Sequence, residues 1–100
     1  MIALKGRLDL YSSIQLKDLA MKMFSRKISR LIINMEQVDS IDSSGIGALI
    51  HICSAVKKMN VALAIANMQD AVKSSIDLTK VTGYFPIANS IEGALSIVSR

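Results

Sequence analysis

The sequence is short of the residues that staple, anchor or colour a small protein. It has one cysteine (Cys53), one proline (Pro86), one histidine (His51) and no tryptophan, and only 4% of its residues are aromatic. A lone cysteine has no partner within the chain, which excludes a disulfide framework and fits a reducing compartment. His51 and Cys53, two apart on one helix, point to different sides, so they build no metal site, and no cofactor is expected. Scarce aromatics and the lack of a dense lysine and arginine block argue against direct nucleic-acid binding, despite a net charge of +4 and a pI near 9.5.

Long apolar runs are missing as well. The longest uncharged stretch, Ser43 to Val56, is broken by serine, glycine and histidine and falls short of the roughly 20 apolar residues a membrane span requires. The opening "MIALKGRLDL" is interrupted by Lys5, Arg7 and Asp9, unlike a signal peptide. A soluble, cytoplasmic protein with no membrane insertion is expected.

What the chain does have is enough apolar material, 51% of 100 residues, for one core, so residues 1–100 are read as a single domain. The charges are uneven: residues 1–30 carry seven bases and two acids, whereas residues 31–56 carry Glu36, Asp39 and Asp42 and no base. The even-numbered Ile2, Leu4, Leu8 and Leu10 predict a strand with one wet face. Leu16, Leu19, Ala20, Met23 and Phe24 then recur at helical spacing, with Ser12 and Gln15 at capping-box distance. The unbroken Leu31, Ile32 and Ile33 suit a central strand covered on both faces. An acidic loop, "EQVDSID", leads into a helix whose stripe is Ile46, Leu49, Ile50, Cys53 and Val56.

"VALAIAN" predicts a second buried strand. Asn67 or Asp70 can cap a third helix burying Val72 and Ile76, with Gly83 as its stop. "YFPIA", with Pro86, suits a short or edge strand, and Asn89 with Glu92 caps a last helix burying Ile91, Leu95 and Val98. Strand and helix alternating four times predict an α/β domain: a mixed sheet of about four strands packed with about four helices.

The chemistry-bearing candidate is "DSSGIG", Asp42 to Gly47, at the start of the second helix. A helix optimised for stability would not place glycines there, since each costs about 0.8–1 kcal/mol relative to alanine. Both serines precede the glycines, so this is no nucleophile elbow, and no Gly-Lys occurs to complete a phosphate loop. "GIGALI" has Ile50 where a dinucleotide fingerprint needs glycine or alanine. No enzyme chemistry follows. Two readings stay open: a helix start capped by Asp42, Ser43 or Ser44 with glycines for close packing, or a helix N-terminus where an exposed serine can carry an anion.

The stretch "LIINMEQVDSIDSSGIGALIHICSAVKKMNVALAIAN" resembles the centre of the STAS domain family, in particular the bacterial anti-sigma-factor antagonists, whose hallmark is an Asp-Ser-Ser-Gly-Leu-Gly-like turn after a buried strand. Asp42, Ser43, Ser44, Gly45 and Gly47 match, and Ile46 replaces the leucine. "GRLDL" is similar to the family's Gly-Glu-Leu-Asp segment, with Asp9 matching the acid and Arg7 standing where the motif has another. "VKSSIDLTKVTGYFPIANSIEGAL" is similar to its C-terminal part. The resemblance implies a protein without catalysis of its own that binds an anti-sigma factor which is also a serine kinase. Phosphorylation would fall on Ser43, and a phosphatase would reset it. Asp9, Asp39, Asp42, Ser43, Ser44, Gly45, Ile46 and Gly47 would bind the partner. It also implies an alternative, an unswitched structural subunit bound to a transporter ATPase or scaffold complex.

Overall fold

The computed structural model describes residues 1–80, 83 and 85–99. Val81, Thr82 and Tyr84, within the segment read as similar to the family's C-terminal part, lie outside the described residues. The element order is β1 (Ile2–Leu8), α1 (Leu10–Ser25), β2 (Arg30–Ile41), α2 (Ser43–Met59), β3 (Ala62–Ala66), α3 (Asp70–Asp77), β4 (Ile87–Ala88) and α4 (Ile91–Val98). The strands lie side by side in chain order, β1-β2-β3-β4. All described pairings are parallel, where a mixed sheet was expected. Each connection between paired strands carries a helix, and such a crossover returns the chain to the same end of the sheet.

Alternation within the strands divides the core. Leu31, Ile33 and Met35 of β2 and Leu63 and Ile65 of β3 join residues of α1, α2 and α3 on one face. Ile32, Ala64, Ala66 and Ala88 face the other way onto Ala94 and Val98 of α4. The alanine-rich side lets α4 lie close to the sheet. Its buried residues are Ala94 and Val98, while Ile91 is half-buried and Leu95 exposed, which corrects the expected stripe. Its cap is Ser90, whose Oγ accepts from the Gly93 amide at 3.0 Å, one residue beyond the expected Asn89. The third helix likewise begins one residue after Gln69, which makes no side-chain cap bond.

The largest departure is in β2. The acidic segment expected as a loop continues the strand to Ile41 and pairs with β1: Val38 and Ile41, three apart across an irregularity in the pairing, both reach the core while Glu36, Gln37 and Asp39 stay in solvent. The pairing is irregular: Ala3 and Lys5 face Asn34 and Gln37, and Gly6 and Arg7 face Val38 and Ser40. Asp39 falls in the second irregularity, as the extra residue between Val38 and Ser40, beside Gly6, whose φ of 76° favours glycine.

Candidate functional site

β1 and β2 run parallel, so both deliver their C-terminal ends to the same edge, with Leu8 paired to Ile41. The next residue in each chain segment is an aspartate, and each aspartate starts a helix. Asp9 caps α1: its Oδ1 accepts from the Ser12 amide at 3.0 Å, and Ser12 Oγ accepts from the Asp9 amide at 2.9 Å. The capping box is therefore Asp9 with Ser12, three residues earlier than the expected Ser12 with Gln15. Asp42 caps α2, its Oδ1 accepting from the Gly45 amide at 3.1 Å. The two caps have nearly the same backbone, φ −111° with ψ −169° and −174°. The Asp42 amide also donates to the Leu8 carbonyl at 3.2 Å and ties the two junctions together.

That arrangement assigns the cap among the three candidates to Asp42 and leaves Ser43 and Ser44 as the first two residues of α2. Ser43 is exposed and Ser44 half-buried. Hydrogen bonds from the Ser12 backbone and side chain are the main reason the Asp9 carboxyl is held below its ordinary pKa; Arg7 adds a smaller electrostatic pull in the same direction.

The two glycines play different parts. A β-carbon on Gly45 would stand 2.6 Å from the Leu8 carbonyl oxygen and 2.7 Å from Ile41 Cγ1, so the turn closes only with glycine there. A β-carbon on Gly47 would meet nothing within 4 Å among the described residues. Gly45 and Ile46, both expected at the partner surface, are buried, because Gly45 packs on β1 and Ile46 joins the core cluster. Asp9, Asp39, Asp42, Ser43, Ser44 and Gly47 keep some solvent exposure.

Proximity sorts these further. Asp9 and Asp42 line one cleft together with Leu10, Tyr11 and Ile14. Asp42 also lines a neighbouring cleft with Arg7, Ser40 and Ile41. Asp39, further down β2, lines neither. Leu10, Tyr11 and Ile14 were not singled out from the sequence, because Leu10 read as the end of a strand and the other two fall off the buried stripe of α1. Their signal was the excess of apolar residues over what one helix face can bury.

Further along α2, His51 is exposed and Cys53 buried, as the helical spacing predicts. Burial pushes the Cys53 thiol up to about 11, so it stays a protonated core residue at neutral pH. No group of three or more histidine, cysteine, aspartate or glutamate side chains among the described residues is placed to hold a metal. No helix among them is long and apolar enough to cross a membrane.

Comparison with known proteins matches residues 1–94 to the family model of the STAS domain. Among solved structures, a putative anti-sigma factor antagonist from Thermotoga maritima superposes with a TM-score of 0.85 at 21% identity, covering 98% of this chain and 86% of that one. A sulfate transporter family protein from Wolinella succinogenes gives 0.82 at 17% identity over 97% of this chain and 81% of that one. The anti-sigma factor antagonist SpoIIAA in its unphosphorylated form gives 0.73 at 20% identity, covering 90% and 79%.

Proposed function

This chain belongs to the STAS domain family, and on that premise we propose that it is an anti-sigma-factor antagonist: a cytoplasmic binding protein, not an enzyme, switched off by phosphorylation of Ser43. Its partners are an anti-sigma factor that is also a serine kinase, which supplies the phosphoryl group from ATP, and a phosphatase that removes it. The observation that carries this reading is the pairing of an exposed Ser43 at the first position of α2 with Gly47, a helical glycine that no contact among the described residues requires. Glycine inside a helix costs about 1 kcal/mol relative to alanine, and close approach of another molecule is a physical reason to keep it.

The same position explains how a phosphate can change binding without unfolding the domain. Added at the N-terminus of α2, it lies where backbone amides and the helix dipole favour negative charge, so the fold tolerates it. At a protein interface the same group brings about −1.5 to −2 charges beside Asp42, and they must be desolvated for a partner to pack there. The free form binds and the phosphorylated form is released.

Incubation of the protein with the serine-kinase anti-sigma factors of its own organism and ATP, followed by mass spectrometry, tests this. One phosphoryl group is expected, absent in Ser43→Ala and retained in Ser44→Ala, with Ser43→Asp binding the kinase more weakly than the parent. Modification of Ser44, or no modification by a kinase that binds tightly, would overturn the switch. That outcome would favour the second reading, a structural subunit of a transporter or scaffold complex, which the likeness to a sulfate transporter family protein supports.

A further inference from the structure

The first turn of α1 is built against its own interest. Its cap is sound, yet no acidic residue follows in that turn, where one would suit the helix dipole. Instead it carries Leu10, Tyr11 and, one residue on, Ile14, which are 64%, 73% and 49% exposed. The face α1 buries is a different one, made by Ser13, Leu16, Ala20 and Phe24. Leu10 and Ile14 are four apart and share a face, so these are not scattered surface residues of the kind every protein shows. They form a continuous apolar patch that folding leaves in water.

The charged groups lining the cleft at this patch are both carboxylates, and the charge of Arg7 reaches Asp9 from beside it. Asp9 and Asp42 line the same cleft as Leu10, Tyr11 and Ile14, and Arg7 belongs to the neighbouring cleft. Asp42 directly precedes Ser43, so the patch adjoins the switch serine. We propose that Leu10, Tyr11 and Ile14 are the apolar half of the protein-docking surface, and that it accepts a polypeptide segment presenting an apolar side chain beside an arginine or lysine. The complementarity is chemical: Leu10, Tyr11 and Ile14 supply the anchor contact, a tyrosine being among the residues that most often dominate interface energetics. The two carboxylates give a guanidinium or ammonium its partner and turn away acidic peptides, nucleic acid and anionic lipid. This inference rests on the reading of this end of the fold as the partner surface and adds to it the anchor residues and the partner's chemistry.

A titration of the ¹⁵N-labelled full chain with capped six-residue peptides tests it without needing the kinase. The probes alternate leucine with arginine, leucine with glutamate, and serine with arginine. Saturable shifts centred on residues 9–14 and 42–44 are expected with the first peptide only, the other two binding at least about ten-fold more weakly. Tyr11→Ser and, separately, Ile14→Ser should lose most of this response while keeping a dispersed spectrum and thermal unfolding within a few degrees of the parent, since Tyr11 lies largely, and Ile14 about half, in solvent. Equal binding of the arginine and glutamate peptides, shifts centred elsewhere, or no shift would overturn the proposal. So would a concentration-dependent dimer abolished by Tyr11→Ser, which would assign the patch to a second copy of the chain. Ser43 phosphorylation is read out separately, so failure here leaves the switch standing, and failure of the switch leaves this result interpretable.

Discussion

Gly45 stands against the end of β1 so closely that a β-carbon on it would lie 2.6 Å from the carbonyl oxygen of Leu8. The Asp42 amide donates to that same oxygen at 3.2 Å. The start of α2 is thus seated on the neighbouring strand through backbone, which makes the Asp-Ser-Ser-Gly sequence a structural joint.

Exchanging the two glycines for alanine separates these roles. Gly45→Ala must push apart backbone and the branched side chains of Leu8 and Ile41. Overpacking costs about 1–3 kcal/mol, and with a backbone oxygen as the obstacle the upper part of that range applies, which outweighs the roughly 1 kcal/mol alanine gains as a helix former. Gly47→Ala meets open space and should stabilise the domain by up to about 1 kcal/mol while weakening kinase binding. Urea unfolding of the two variants measures the contrast, and equal responses would show that the joint is not packed this way.

Ser13 offers a second stability test beside the site. It is 2% exposed in α1, and its Oγ has no hydrogen-bond partner among the described residues. A buried hydroxyl left unpaired costs about 1–3 kcal/mol. Ser13→Ala removes that cost and introduces a stronger helix former, so the unfolding midpoint should rise with the urea m-value unchanged. A clear loss of stability would mean that the hydroxyl has a partner in solution.

The order of strands and helices was legible because Leu31 to Ile33 and "VALAIAN" are unbroken apolar runs and α2 carries a strong stripe. The ends of the elements were harder, for a local reason in each case. Ser12 has the right chemistry for a cap, but it is the third residue of the helix and closes a box that Asp9 begins. The β2 extension was hidden by Glu36, Gln37 and Asp39, whose solvent-facing positions look like a loop until β1 is seen to pair with them. Asp42, Ser43 and Gly47 could be singled out from the sequence. That Gly45 faces inward could not, because it depends on how close β1 comes. The exposed Leu10, Tyr11 and Ile14 were equally hidden, since their exposure depends on which side of α1 meets the sheet.

Asp9 gives the fold a dependence on acid that can be assigned to one residue. Its carboxyl lies below the ordinary value of 3.8, first because the Ser12 amide and hydroxyl bond its charged form. A carboxyl with a lowered folded-state pKa binds protons more readily when the chain is unfolded. Its contribution to stability is therefore complete above the unfolded value and is lost as the pH falls through the folded one. Asp9→Asn isolates this effect, because asparagine is an equally good cap but cannot ionise. The parent should unfold at a higher temperature than the variant at pH 7, and the gap should begin to close as the pH drops through about 4 and vanish in stronger acid. Added salt should narrow the gap at pH 7 only slightly, since the bonds to Ser12 are local and the pull of Arg7 is the smaller cause. A gap that stayed constant from neutral to acid pH would mean that the Asp9 charge does not stabilise the start of α1.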